Sequence, residues 1–202
     1  MNKLITDHFQ TADPLLHEWI LKIQKLPPFK PINPDRYFTR LCDDIVSQQL
    51  SGKAAATIFS RFNKLFNNDT ITPDELLQIP HEKLRAAGLS NTKANYVKNL
   101  AQHVLDGSLT LDRLPKLTDE EVIAELTKVK GIGRWTAEMF LIFSLGREDV
   151  FSHGDLGLRN GLKKIYKFKR EPSKKRIEAI VKKWSPYKSF ASRILWKCLE
   201  IK

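Results

Sequence analysis

The 202-residue sequence predicts an all-α protein. Apolar residues recur at helical spacing in several stretches: Leu15, Leu16, Trp19, Ile20 and Ile23; Tyr96, Val97, Leu100, Ala101, Val104 and Leu105; Ile177, Ile180, Val181 and Trp184. Helix-start signals stand at Asp13-Pro14, Thr72-Pro73-Asp74-Glu75 and Thr118-Asp119-Glu120-Glu121. No stretch shows the sustained alternation of a half-buried strand.

Taken in order, Asp13 caps a helix over 13–26, with Pro14 in its first turn. The proline-rich connector 27–34 ends it and marks a passage between lobes. Two helices fill 37–66, one on Leu41, Ile45 and Val46, the other on Ala55, Ile58, Phe59 and Phe62. Ser47-Gln48-Gln49-Leu50-Ser51-Gly52 turns between them, and its amides can serve simply as caps. A helix starts at Thr72, an amphipathic one fills 92–106, and one capped by Thr118 ends before Gly131. Gly131-Ile132-Gly133 forms a tight turn, because glycine adopts positive φ at little steric cost, and Arg134-Trp135-Thr136-Ala137 opens the next helix. Ser185-Pro186 breaks the helix through Trp184, and 188–200 resumes helical. Residues 84–94 and 126–137 echo one another: Gly88 and Gly131 each stand six residues before an alanine, which hints at two similar helix–turn–helix units.

Hydrophobic residues make up 42% of the chain, as in a globular protein. No apolar run reaches the ~18 residues of a membrane span. The polar N-terminus is no signal peptide, so the protein is expected inside the cell, in the nucleoid region of a prokaryote or the nucleus of a eukaryote. Cys42 and Cys198 read as reduced, buried thiols, too few for an iron–sulfur cluster, and the histidines lack zinc-ligand spacing. A net charge of +11 and a pI near 9.6 point to an anionic partner such as nucleic acid. The segment 163–176 is a basic run, either a solvated face or a phosphate track.

The helix opening after Gly133 points its free N–H groups back at the turn, which favours a phosphate, and Lys130 and Arg134 add charge. By itself the turn is equally an ordinary αα-hairpin. A dinucleotide fold is excluded, since no strand precedes the turn and a third glycine is absent.

With its neighbours the stretch is more specific. Leu126-x-x-Val129-x-Gly131-Ile132-Gly133-Arg134-Trp135-Thr136-Ala137, then Asp149-Val150-Phe151, then Gly154-Asp155-Leu156-Gly157-Leu158-Arg159, resembles the helix-hairpin-helix DNA glycosylase superfamily, most of all its 3-methyladenine DNA glycosylase II branch. The resemblance extends to Ile45-Val46-Ser47-Gln48-Gln49-Leu50-Ser51, to Ser185-Pro186-Tyr187-Lys188-Ser189-Phe190-Ala191 and to Trp196, so matching blocks span roughly 36–196 in family order. The N-terminal β-lobe of some members has no counterpart.

The resemblance implies one catalytic domain over 1–202 with a two-lobed fold: a middle lobe of roughly 38–148, a second lobe from 1–37 plus 149–202, and the active cleft between them. It implies a monomer that binds damaged double-stranded DNA, flips out an alkylated base of the 3-methyladenine or 7-methylguanine type, and hydrolyses the N-glycosidic bond. Asp155 matches the catalytic aspartate, which stabilises the oxocarbenium character of the sugar; by itself it would be a good helix N-cap, and both roles can coexist. Trp135 and Trp196 match pocket aromatics able to stack on a cationic base, with Tyr187 and Phe190 as weaker candidates. Met139 and Leu156 belong to the same pocket but depart from the family, where some members carry tyrosine and a second aromatic. Gly154 replaces an acid, and His153 reads as an exposed loop histidine. Strand-nicking relatives carry a lysine at the place of Trp135, so no lyase step is expected. Gln48, Gln49 and Leu50 match the loop that fills the gap left by the base, with Gln49 as the plug; Lys130, Gly131, Gly133 and Arg134 grip the backbone. No cofactor is required, while the carbonyls of Thr127, Val129 and Ile132 match a structural Na⁺ or K⁺ site. The rival readings are a glycosylase for mismatched or oxidised bases and a non-catalytic helix-hairpin-helix binding module.

Overall fold

The computed structural model describes residues 3–23, 26–27, 30–67 and 70–201, and among these no residue lies in a strand. In chain order the helices are α1 (Lys3–Ala12), α2 (Pro14–Ile23), α3 (Tyr37–Ser47), α4 (Gly52–Asn63), α5 (Pro73–Gln78), α6 (His81–Ala86), α7 (Asn91–Leu105), α8 (Asp119–Thr127), α9 (Arg134–Phe143), α10 (Leu156–Ile165), α11 (Lys174–Val181) and α12 (Lys188–Cys198). Short 3-10 turns lie at Pro34–Arg36, Leu111–Lys116 and Lys182–Trp184. The all-α expectation is borne out, and the expected caps are made. Asp13 Oδ1 accepts the Leu16 N–H (3.1 Å), and Thr118 and Glu121 exchange a capping box at 2.7 and 3.4 Å. The first predicted helix is helical from Pro14 to Ile23; Gln24 and Lys25 of its predicted end, and Pro28 and Phe29 of the connector, lie outside the described residues. The helix α1 carries no strong start signal and was not expected from the sequence, and α6 was signalled only by the internal echo before Gly88.

The chain divides into two units, Met1–Lys30 with Leu141–Lys202, and Pro31–Phe140. In the first, Phe9, Leu16, Ile20, Leu162, Trp184 and Ile194 share one core, and α12 packs on α10 and α2. A Cβ on Gly161 would lie 2.6 Å from the Leu195 carbonyl oxygen, so these two helices approach as closely as glycine permits. The buried Asp13 carboxylate also accepts the Trp184 indole N–H (2.8 Å) and the Tyr166 hydroxyl, which joins three segments of the chain with each donor satisfied. Burial and that carboxylate together hold the Tyr166 hydroxyl above its ordinary pKa. Cys198 lies in this core, its thiol pushed by burial up to about 11; Cys42 lies buried in the other unit, and both are free thiols.

In the second unit α7 packs on α3, α5 and α6, and α3 packs on α4. Val97, Leu100 and Ala101 face the core as the amphipathic pattern requires, while Leu105 is exposed. The internal echo is structural. Gly88 and Gly131 have φ of +108° and +107°, each precedes a helix, and Ala94 and Ala137 are both fully buried.

On α3, burial raises the Asp44 carboxyl to about 6, against the opposing pull of Arg40 at 2.9 Å, and Asp44 Oδ2 is buried without a hydrogen-bond partner. A carboxyl raised in the folded state favours folding while protonated, and that contribution is lost as pH climbs from about 4 to about 6. Asp44→Asn removes this slope. Urea denaturation should find the variant more stable than wild type at pH 7.5, on the order of 2 kcal/mol, with the advantage vanishing near pH 4.

Candidate functional site

In the first unit, Ser152 to Asp155 lead into α10, and Asp155 is its N-cap. Asp155 Oδ1 accepts the Leu158 N–H at 2.7 Å and the Trp196 indole N–H at 3.0 Å, so one oxygen orders both the helix start and the ring from α12. The carboxylate is buried, 7% exposed, while Leu156 beside it is 62% exposed. Trp196 in turn packs against Phe143 in a tilted arrangement, with ring centroids 5.6 Å apart at 32°. A carboxylate beside a partly exposed aromatic pair is suited to a cation or to developing positive charge. The structure therefore brings together Asp155, Leu156 and Trp196, and adds Phe143. No signal in the sequence marked Phe143, because the run Met139–Phe143 is apolar throughout and only exposure distinguishes one of its members.

Gly157 has a role that the motif left open. A Cβ there would lie 2.9 Å from Trp196 Cδ1 and 3.0 Å from Asp155 Oδ1, so glycine lets the indole reach the carboxylate. Gly157→Ala should displace the Trp196 ring from the carboxylate, which a change in tryptophan fluorescence would show. Its melting temperature should stay close to wild type, since alanine favours the helix. Tryptophan fluorescence with a thermal melt would check both.

Tyr187 packs edge-on to His8 at 5.2 Å, and Phe190 stacks on Phe9 at 6.0 Å as part of the core. The motif around them joins segments: Asp149 accepts from Ser185 Oγ and from the backbone and side chain of Lys188, and Ser189 Oγ accepts the Val150 N–H. His153 is exposed and packs edge-on to Phe151.

In the second unit, the hairpin α8–turn–α9 presents Lys130 and Gly133 exposed. Of its two glycines only Gly131 has positive φ, and a Cβ on it would lie 2.3 Å from Tyr96 Cγ; a Cβ on Gly133 would meet open space. Arg134 is engaged within the protein: its guanidinium pairs with Glu120 (2.5 Å) and its Nε with Glu138 (3.0 Å). Trp135, in the first turn of α9, is 47% exposed, whereas Met139 is buried. In the loop after α3, Gln48 Nε2 donates to the Gly131 carbonyl at 2.9 Å, Gln49 is exposed with φ +57°, and Leu50 is 37% exposed. The Val129 carbonyl accepts the Ile132 N–H at 3.0 Å. Among the described residues, no group of three or more His, Cys, Asp or Glu could hold a metal ion, and no helix is long and apolar enough to cross a membrane.

Residues 42–186 match the model of the HhH-GPD superfamily base excision DNA repair protein. The chain is 37% identical over 172 residues to DNA-3-methyladenine glycosylase 1 of Schizosaccharomyces pombe, covering 84% of this chain and 75% of that protein. The fold is similar to that of the S. pombe 3-methyladenine DNA glycosylase solved in complex with abasic DNA, with a TM-score of 0.85, 32% identity and 98% of each chain covered. A DNA-3-methyladenine glycosidase from Bacillus halodurans matches with a TM-score of 0.81 and 39% identity over 96% of this chain and 89% of its own.

Proposed function

The chain belongs to the HhH-GPD superfamily of base excision DNA repair proteins, and on that premise we propose that it is a DNA glycosylase that excises alkylated bases, its chemistry carried by Asp155. The observation that carries this reading is the Asp155–Trp196–Phe143 arrangement: a buried carboxylate hydrogen-bonded to one ring of a packed aromatic pair. An alkylated purine is already cationic and leaves readily. It needs little help from a general acid and much from a surface that stacks on a cation and from a negative charge near the sugar.

The reaction ends at an intact abasic site. Trp135 offers no amine for a Schiff base with the sugar, unlike a lysine. The exposed Gln49 fills the gap left by the base, with Leu50 beside it; Gly133 and Lys130 approach the phosphates, aided by the general attraction of the exposed cations in 163–176. Arg134 contributes only if DNA displaces it from Glu120. The hairpin carbonyls of Thr127, Val129 and Ile132 fit a weakly held Na⁺ or K⁺, because the Val129 oxygen keeps a second lone pair beside its bond to Ile132. The enzyme works as a monomer in the compartment that holds the DNA.

A panel of duplexes carrying methylated purines, ethenoadenine, hypoxanthine or uracil tests the function. Release of methylated purines without strand cleavage is expected. Release of uracil or hypoxanthine alone would move the substrate, and no release would leave only a DNA binder. Borohydride trapping of a covalent adduct would overturn the single-step reaction. Gln49→Ala should weaken binding to lesion duplex without changing the melting temperature, measured by fluorescence titration; unchanged binding would place the plug elsewhere.

A further inference from the structure

The ammonium of Lys93, in the first turn of α7, donates to two backbone carbonyls at the end of α3, Val46 O at 2.8 Å and Gln48 O at 2.6 Å. These bonds bracket a tight turn. Gln48 has φ −51° and ψ 134°, Gln49 has φ +57°, and the Leu50 N–H donates to the Ser47 carbonyl at 3.3 Å. This is the pattern of a type II turn, with Gln49 at the position that ordinarily takes glycine or asparagine. A Cβ in the left-handed region crowds its own backbone, so the conformation is disfavoured unless its surroundings impose it. Glycine would remove the strain, but it has no side chain to insert into a duplex. The same turn is tied from its other side by Gln48 Nε2 to the Gly131 carbonyl.

We propose that Lys93 and Gln48 are positioning residues that preform the plug, holding Gln49 in its left-handed conformation before DNA arrives. The proposal rests on the reading of Gln49 as the plug given above. A turn already ordered adds no ordering entropy to base extrusion, whereas a loose one would. Lys93 meets the carbonyl end of α3, where a cation is favourable. Desolvation holds its ammonium below the ordinary lysine range, in keeping with a group enclosed by carbonyls rather than spread in solvent. Gln48 carries a second consequence: the plug and the phosphate-gripping hairpin share one hydrogen bond, so seating the hairpin also sets the plug.

The test compares wild type with Lys93→Met, which keeps the apolar stem and removes the charge. Without DNA, residue-resolved amide exchange at Leu50 should rise about tenfold, while Val97, Leu100 and Ala101 stay unchanged. Single-turnover base release should fall about tenfold for a methylated purine in a matched pair and less than about twofold in a mismatched one, because a mispaired base is extruded more easily. Unchanged exchange at Leu50 overturns the proposal, as does an equal loss on matched and mismatched duplexes. If wild type releases no base, the functional reading falls, and the exchange measurement alone decides whether the turn is preformed. Should Lys93→Met fail to fold, Gln48→Leu breaks only the tie to Gly131 and serves for the same measurements.

Discussion

Asp155→Asn is expected to slow release of a methylated purine by about 10²–10³-fold while the protein stays folded. The substitution is nearly isosteric. The amide oxygen can still accept the Leu158 N–H and the Trp196 indole N–H, so the cap and the ring position survive. What is lost is the full negative charge that the proposed reaction places beside the anomeric carbon. On that proposed reading the buried charge opposes the positive charge growing on the sugar, and each factor of ten in rate corresponds to about 1.4 kcal/mol of barrier. Stability should change by less than about 1 kcal/mol, since an asparagine caps a helix as well as an aspartate. Single-turnover kinetics on a methylated duplex and a thermal melt separate the two effects. A variant that stays folded and keeps its rate would remove Asp155 from the chemistry.

Gly131→Ala is expected to destabilise the fold by about 3 kcal/mol or more, whereas Gly133→Ala should fold normally and bind DNA poorly. At 131 two penalties add: φ is +107°, where L-residues are strained, and a new Cβ would sit 2.3 Å from the Tyr96 ring on α7. The ring cannot withdraw without disturbing α7, which packs on three other helices. At 133 a Cβ meets nothing within the protein, so the space is open to another molecule's backbone. Chemical denaturation and DNA titration in parallel should show stability lost in one variant and affinity lost in the other. The opposite assignment would mean that Gly133, not Gly131, sets the turn.

The all-α class and most helix starts were legible because capping chemistry and helical periodicity are local. Asp13, Thr72 and Thr118 each bond within three residues of themselves, so their role could be read without knowing what lies beyond. Asp155 was legible both as a cap and, by motif, as a candidate catalyst. Phe143 and Lys93 were not legible. An exposed phenylalanine in an apolar run looks like its buried neighbours, and a lysine on a helix looks solvated until the carbonyls it meets, 47 and 45 residues away, are known. Arg134 shows the reverse: its sequence position suggested a phosphate contact, and folding has given it two carboxylates, one of them 14 residues away.

The helical class, the hairpin glycines, the family and the candidate carboxylate can all be read along the chain, because each is written in a short pattern. Tertiary structure alone decided which oxygen Trp196 meets, why Gly157 must be small, and what holds Gln49 in a conformation that a glutamine avoids. These are contacts between residues far apart in the chain. Their geometry depends on close helix packing, which no local pattern encodes.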